Sequence, residues 1–168
     1  SLGVTDSGGH CECEQCRAKD SGKRNFIGIR CISDRYFGWC NAVVTEVLEE
    51  YPDKWFGCLA YRHVIEPPKR VKVHPRILPF LTYDRMKWAR TKQREQGHRM
   101  TEWWQKTCPT IGWYDYIYGT PYLLPRVYFH EMAKYYRFGS RHGVRVHYAE
   151  AYPNWGEGPK LYVSLKLQ

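Results

Sequence analysis

Apolar residues occur along the chain in two patterns. Short compact runs bounded by Gly, Pro or Asp predict buried strands, whereas apolar residues that recur every three or four positions predict helices with one buried side. Strands are predicted at residues 1–6, 55–61, 77–83, 111–118 and 144–150. Helices or long crossovers separate these strands, so strand and connection alternate along the whole chain.

The predicted helices have recognisable ends. Ser33 or Asp34 can cap the first one, which ends before Tyr51 and the proline that follows it. A short second helix ends at Pro109, and a third spans residues 125–138 with proline in its first turn and glycine just past its end. The segment after the last strand begins another helix.

This alternation indicates a parallel sheet, because no connection has the two-residue turn of a hairpin. Five such strands in chain order, with acidic residues or basic loops after them, predict an α/β fold that is part of a (β/α)₈ TIM-like barrel. Residues 1–168 are predicted to be a single domain, the C-terminal part of that barrel. The chain opens without Met inside a strand and stops within an amphipathic run, so we expect it to be a fragment of a larger protein.

Composition supports a folded domain, since 43% of the residues are apolar and 16% are aromatic. The net charge of +9 suggests a polyanionic partner, either an acidic polysaccharide or a nucleic acid. We do not expect nucleic acid, because the basic residues are scattered and match no nucleic-acid-binding motif. No apolar run approaches the ~20 residues of a membrane span. The sequence does not indicate the oligomeric state.

Glu150 is the first candidate catalytic residue. The strand that precedes it runs directly into a loop rich in Tyr, Trp and Gly. Carboxylates at the carboxyl ends of strands are where α/β barrels hold their catalytic groups. The alternatives are that Glu150 caps the next helix or pairs with an arginine.

Two further acids follow predicted strands. Asp6 precedes Ser-Gly-Gly, and its alternative role is to support that turn through its side chain. Asp115 lies among aromatic residues, whose rings stack on sugars but are also common in protein cores. The residues expected to shape a sugar site are Trp113, Tyr114, Tyr116, Tyr148, Tyr152 and Trp155. Arg62 and His63, in a basic loop, either line an anion site or are solvated.

A compact cysteine cluster lies near the start of the chain. Cys13 and Cys16 have the two-residue gap that lets two thiolates bind one metal, and Cys11 and His10 can complete four ligands. A structural zinc, a disulfide and free thiols all remain open, because the chain has an odd number of cysteines, seven. No other cofactor is required by the predicted chemistry.

Together these residues resemble the C-terminal half of the barrel in a bacterial family catalogued as a domain of unknown function. That family is itself similar to α-glucuronidase-type glycoside hydrolases. The resemblance covers nearly the whole chain and rests on six short stretches. These are Val-Thr-Asp-Ser-Gly-Gly-His-Cys-Glu-Cys-Glu-Gln-Cys at 4–16, Cys-Leu-Ala-Tyr at 58–61, Pro-Pro-Lys at 67–69, Trp-Tyr-Asp-Tyr at 113–116, Leu-Leu-Pro at 123–125 and Gly-Val-Arg-Val-His-Tyr-Ala-Glu at 143–150.

The resemblance implies a secreted or periplasmic carbohydrate-active protein. By position, Asp6, Asp115 and Glu150 are the acids that fall where such barrels hold catalytic carboxylates. The third predicted strand departs from many relatives, because Leu-Thr-Tyr-Asp-Arg-Met replaces a Cys-rich segment, so Asp84 is given no role.

We therefore expect glycoside hydrolysis, in which one carboxylic acid protonates the leaving oxygen and a second carboxylate attacks the anomeric carbon or activates water. Glu150 and Asp6 are the predicted pair, with Asp115 as the alternative second acid. The basic surplus would suit an oligo- or polysaccharide that carries uronate or sulfate groups. The alternative is a catalytically inactive barrel that binds carbohydrate, because a fold does not determine an activity.

Overall fold

The computed structural model describes residues 2–117, 126, 128–151 and 156–168. Within these residues the chain forms one sheet of four strands that lie in chain order. The strands are β1 (Phe56–Ala60), β2 (Ile77–Thr82), β3 (Ile111–Tyr116) and β4 (Val144–Glu150). Every neighbouring pair is parallel. The α/β class and the parallel order of these four strands are therefore confirmed, while closure into a barrel remains a prediction.

The predicted first strand is wrong as a strand. From Leu2 onward the opening segment is irregular, although the Leu2 amide donates a hydrogen bond to the Gly57 carbonyl at 2.8 Å. The Tyr36 hydroxyl donates to the Leu2 carbonyl at 2.7 Å. Leu2 and Val4 pack against the core, but the glycines that follow supply no further apolar residue to extend the pairing. The segment lies beside β1 without forming a ladder.

Five helices accompany the sheet in the described part of the chain. They are α1 (Glu14–Ala18), α2 (Ser33–Glu50), α3 (Thr91–Thr107), α4 (Phe129–Arg141) and α5 (Gly158–Leu167), and two 3₁₀ turns occupy Arg62–Val64 and Arg85–Ala89. None of these helices is long and apolar enough to cross a membrane.

Helix α2 has the predicted bounds but not the predicted cap. Neither Ser33 nor Asp34 caps the helix with its side chain. The Ser33 hydroxyl instead donates to the Glu66 carbonyl at 2.6 Å, and the Asp34 carboxylate accepts the amides of Lys69 and Arg70 at 2.8 and 2.7 Å. Both side chains therefore fasten the loop after β1 onto the start of α2.

Helix α4 was predicted to end before Gly139, but it continues to Arg141. A side chain on Gly139 would meet the Trp113 ring, whose nearest atom lies 2.6 Å from the position of a Cβ. The glycine is thus inside the helix because a tryptophan occupies the space beside it. Pro125, the predicted start of this helix, lies outside the described residues.

The sheet has two unlike faces, because side chains alternate along each strand. Cys58, Leu81, Ile111 and Trp113 face the helices and are buried with apolar residues of α2, α3 and α4. We call the other side the open face, and its side chains are Leu59, Leu78, Phe80, Thr82, Tyr114, Tyr116, Val146, Tyr148 and Glu150. The expectation that β4 is buried is wrong, because Val146 and Tyr148 are 39% and 57% exposed.

Candidate functional site

Glu150 ends β4 on the open face, beside Tyr114 of the neighbouring strand. The Tyr114 hydroxyl donates a hydrogen bond of 2.6 Å to Glu150 Oε1. The parallel register of β3 and β4 brings the two side chains together, because it places Tyr114 opposite Tyr148 and Tyr116 opposite Glu150. Partial burial and the Glu150 carboxylate raise the pKa of Tyr114, so its hydroxyl remains protonated and holds the carboxylate in one orientation.

Three tyrosine rings form a row next to this carboxylate. The Tyr114 ring centroid lies 5.0 Å from that of Tyr148 and 5.7 Å from that of Tyr116. Such rings offer a flat apolar surface with hydroxyl groups at its margin. Tyr114, Tyr116, Tyr148 and Glu150 are the predicted site residues that the structure brings together.

Trp113 does not belong to this row. It lies on the helix-facing side of β3 and is 1% exposed. Its ring packs edge-on against Trp88 and Tyr135, at centroid distances of 5.7 and 6.0 Å. Trp113 is thus a core residue in this fold, and no ligand on the open face can reach it. Tyr152 and Trp155 lie outside the described residues.

Asp115 also lies on the helix-facing side, opposite the face that carries Glu150. It is fully buried, and its Oδ1 accepts the backbone amides of Arg85 and Tyr116 at 3.1 and 2.8 Å. Its other oxygen lies 3.6 Å from Nε2 of His147. Asp115 and Glu150 therefore do not share a site, although they lie on adjacent strands. Asp115 is paired with Ala149, the residue before Glu150.

The charge on Asp115 is balanced within the core. Burial alone would raise the pKa of Asp115, but His147 and the Arg85 guanidinium lower it below its usual value. Burial lowers the pKa of Arg85 to about 10, so the guanidinium is still charged at neutral pH. Arg85 also donates to the carbonyls of Tyr83, Tyr114 and Leu81 at 2.9, 3.1 and 2.9 Å. The pair binds the ends of β2 and β3 together.

Asp6 lies in an exposed bend before α1. Its neighbours Thr5 and Ser7 are joined by a hydrogen bond of 2.9 Å between their hydroxyls. Within the described part of the chain, no hydrogen bond or ion pair connects Asp6 to Glu150. The predicted pair of these two acids is thus not assembled by direct contact.

Asp84 is an acid at the same edge of the sheet that received no role from the sequence. It follows β2, and Arg126 Nη1 donates to both of its carboxylate oxygens at 3.0 and 2.8 Å. A cleft of ≈ 370 Å³ at this edge is lined by Tyr61, Thr82, Tyr83, Asp84, Lys87, Gln93 and Tyr116. Its position just past the carboxyl end of β2, at the edge where Glu150 ends β4, was the signal that could have identified it.

Arg62 and His63 hold a neighbouring loop at the end of β1. Arg62 has a φ of 48°, a left-handed conformation that is uncommon outside glycine, and its carbonyl accepts a hydrogen bond of 2.7 Å from the Asn25 side-chain amide. The His63 ring bonds the Arg30 carbonyl at 2.9 Å and packs against His10 at a centroid distance of 4.7 Å. Both residues connect the loop of residues 24–31 to the strand, and an anion site there stays a prediction.

The cysteine cluster forms as predicted. The sulfur atoms of Cys11, Cys13 and Cys16 all lie within 4.8 Å of one another, where the loop before α1 runs into that helix, which contains Cys16. The three side chains are free thiols, and those of Cys11 and Cys13 are exposed. His10 is not part of this group, since its ring packs against His63 instead. The three sulfurs are close enough to bind one metal ion.

Comparison with known proteins adds one finding. A family model described as a domain of unknown function (DUF4838) matches residues 1–168. No curated protein and no solved structure matches the chain.

Proposed function

The chain belongs to the family described as a domain of unknown function (DUF4838), and from the geometry of the open face we propose that it binds carbohydrate there. One observation carries this proposal. Glu150 is held by the Tyr114 hydroxyl at 2.6 Å, directly beside the exposed ring of Tyr148. An oriented carboxylate next to a row of accessible aromatic rings suits a ligand that has both hydroxyl groups and apolar C–H faces.

Each part of this surface has a role in the proposed binding. The Tyr148 ring, 57% exposed, stacks on one face of a sugar ring, and Tyr114 and Tyr116 extend that surface. The Glu150 carboxylate accepts hydrogen bonds from sugar hydroxyls, because an ionised carboxylate offers only acceptors. Charge-assisted hydrogen bonds of this kind are about twice as strong as neutral ones.

The overall charge favours an acidic ligand. With a net charge of +9, the protein attracts polyanions at long range. An oligosaccharide that carries uronate or sulfate groups therefore suits it better than a neutral one. The secreted or periplasmic location that we propose would also give access to such polysaccharides.

Binding is our first proposal, because Asp115, one of the two acids predicted to pair with Glu150, lies buried on the opposite face of the sheet. Asp115 is fully buried on the helix-facing side, and Asp6 forms no direct contact with Glu150 in the described part of the chain. Glycosidases of both stereochemical types need two carboxyl groups that flank one glycosidic bond, about 5–10 Å apart.

Hydrolysis is the second candidate, and the position of Glu150 favours it. The residue ends a parallel strand on a partly exposed face, which is where α/β barrels hold catalytic carboxylates. The second acid would then be Asp6 or Asp84, whose cleft also contains Tyr116. In that case Glu150 is the acid or the nucleophile.

Calorimetric titration with neutral, uronate-containing and sulfated oligosaccharides tests binding. Tyr148→Ala should weaken the affinity for the tightest ligand by at least about 10-fold, because stacking of one ring is worth on the order of 1.5 kcal/mol. Tyr162→Ala is the matched control, since Tyr162 is also an exposed tyrosine, 63% accessible, but lies on α5. Equal affinity in wild type and Tyr148→Ala would contradict the proposal.

Aryl glycosides and acidic oligosaccharides test hydrolysis. If Glu150 is the acid or the nucleophile, Glu150→Gln lowers turnover by at least ~10²-fold and leaves the melting temperature nearly unchanged. Wild-type turnover in this variant would exclude that role for Glu150. A large loss of stability without a specific loss of turnover would instead make Glu150 a structural partner of Tyr114.

A further inference from the structure

The loop before α1 and the first turn of that helix, which together we call the cysteine loop, carry three thiol groups that the proposed carbohydrate site does not use. We propose that Cys11, Cys13 and Cys16 bind one zinc ion through three thiolates. Their sulfur atoms are mutually within 4.8 Å. In a tetrahedral site with Zn–S bonds of about 2.3 Å, neighbouring sulfurs are about 3.8 Å apart. Movements of about 1 Å, which exposed side chains make by rotation, would complete the site.

The mutual closeness of all three sulfurs favours a metal over a disulfide. A disulfide would join two of the three cysteines and leave the third beside it without a role. Cys11, Cys13 and Cys16 are instead three mutual neighbours on one short segment, which matches the preference of zinc for several thiolates at once. The other four cysteines are buried, so none of them competes for this position.

The cysteine loop is held in place by side chains from outside it. Arg35 of α2 donates to the Cys11 carbonyl at 2.7 Å. Its Nε also lies 3.1 Å from Asp20, which in turn lies 3.0 Å from Arg30. Arg30 closes this network by binding Glu12, between the first two cysteines, at 2.9 Å. The backbone of the loop is therefore already positioned, and ion binding has little chain entropy to overcome.

The charge around the cluster is suitable for thiolates. Three thiolates and one Zn²⁺ carry a net charge of −1, and the guanidinium groups of Arg17, Arg30 and Arg35 surround the loop. Arg35 Nη2 is buried and has no acceptor in the described part of the chain. This N–H group can donate to a thiolate of the cluster, because the same guanidinium already binds the Cys11 carbonyl at 2.7 Å. Such donors around the ligands stabilise metal-bound thiolates.

The proposed site keeps one coordination position open. Three protein ligands leave a fourth position on a tetrahedral zinc, which water or another donor atom occupies. Cys11 and Cys16 line a cleft of ≈ 1040 Å³, together with Tyr36, Trp39 and Arg70. A ligand of the zinc ion would enter from this cleft.

The test uses the reduced protein that carries these residues, stripped of metal with a chelator and then incubated with Zn²⁺ alone. After gel filtration, elemental analysis should find about one zinc per chain. With Co²⁺ as a spectroscopic probe, a sulfur-to-cobalt charge-transfer band should appear and saturate at the same stoichiometry. Cys13→Ser and Cys16→Ser should each weaken zinc binding by at least about 10-fold. Neither Cys13, before α1, nor Cys16, within this short helix, is buried, so melting temperatures of the zinc-free proteins should be nearly unchanged.

Cys31→Ser is the matched control, because it removes a thiol outside the cluster and should retain wild-type zinc binding. Three results would overturn the proposal: no retained zinc together with no charge-transfer band, equal zinc affinity in Cys13→Ser and wild type, or a disulfide between two of the three cysteines in protein purified without reductant. The proposal would also be overturned if all three thiols reacted fully with a thiol reagent in the presence of zinc.

Discussion

Arg85 and Asp115 form an ion pair that is completely removed from solvent, with 3.9 Å between Arg85 Nη1 and Asp115 Oδ1. Both side chains form further hydrogen bonds, although Arg85 Nε and Asp115 Oδ2 have no hydrogen-bond partner in the described part of the chain. The Arg85 guanidinium lies 4.0 Å from the centroid of the Trp113 ring and donates to three carbonyls at the ends of β2 and β3. Asp115 supplies the negative charge at the same point. The pair fixes the strand ends beneath the open face, which makes Asp115 a structural residue in this fold.

Loss of the Asp115 charge should therefore destabilise the protein. In Asp115→Asn the guanidinium stays in the core without its counter-charge, and we expect the free energy of unfolding to fall by about 3–5 kcal/mol. Urea unfolding followed by circular dichroism measures this change. Asp53→Asn is the control, because Asp53 has a side chain that is 78% exposed, and its pair with Lys54 should contribute less than about 1 kcal/mol.

The same carboxylate predicts a pH dependence. The pKa of Asp115 is lowered in the folded protein, so its contribution to stability is complete above the unfolded pKa of about 3.9 and is lost as pH falls through the lower folded value. The stability difference between wild type and Asp115→Asn should be constant above about pH 5 and shrink below about pH 4. Urea unfolding at several pH values between about 2 and 7 measures it. A difference that persists unchanged at the lowest pH would contradict this role.

The sequence alone distinguishes the structural role of Asp115 from the proposed binding role of Tyr114 and Glu150 only in part. Alternation along a strand already puts Asp115 on the side of Trp113 and away from Tyr114 and Tyr116, so period two could have removed it from the carbohydrate site. It could not identify Arg85 as the buried partner, because a basic residue next to a polar helix looks the same whether it is solvated or buried. The contact between Tyr114 and Glu150 also depends on the register of two strands, which the pattern does not specify.

Two glycines within helices differ in what surrounds them. Gly139 of α4 faces the Trp113 ring, which lies 2.6 Å from where a Cβ would be. The nearest group to a Cβ at Gly38 of α2 is the Val71 side chain at 4.0 Å, an ordinary contact. Alanine increases helix propensity equally at both positions, so the packing decides the sign of each substitution.

Gly38→Ala should raise the free energy of unfolding by about 0.5–1 kcal/mol. Gly139→Ala should lower it by about 1–3 kcal/mol, because the methyl group would displace the Trp113 ring from a packed core. Thermal and urea unfolding of both variants in parallel measure the two signs. Each variant is the control for the other. Stabilisation by both substitutions would show that packing at Gly139 is looser than we infer, and destabilisation by both would show that Gly38 is more tightly packed.

Elements with a regular apolar pattern were predicted well, and elements defined by a single contact were not. The four strands and α2 follow from compact or periodic apolar runs. The opening segment has apolar residues but only one backbone bond to β1, which a pattern cannot distinguish from a strand. The prediction that Gly139 ends α4 is wrong. In the sequence, a glycine that ends a helix cannot be distinguished from one that leaves space for a neighbouring ring, here that of Trp113.

At the scale of the whole molecule, the charge should affect binding. The chain has 26 Lys and Arg residues against 17 Asp and Glu residues. If an acidic oligosaccharide is attracted by this surplus, its affinity should fall several-fold between about 0.05 and 0.5 M salt, as screening shortens the range of the attraction. A neutral oligosaccharide of the same length is the control and should show little change. Equal salt dependence for both would assign the affinity to stacking and hydrogen bonding alone.

The two faces of the sheet also differ in the substitutions that they tolerate. On the helix-facing side, Trp113 and Gly139 can change only together, because each fills the space that the other leaves. On the open face, Tyr148 is mostly in solvent, so mutation there leaves the core intact. Substitution of Tyr148 should therefore change which ligand is bound, while the helix-facing framework that holds the site stays the same.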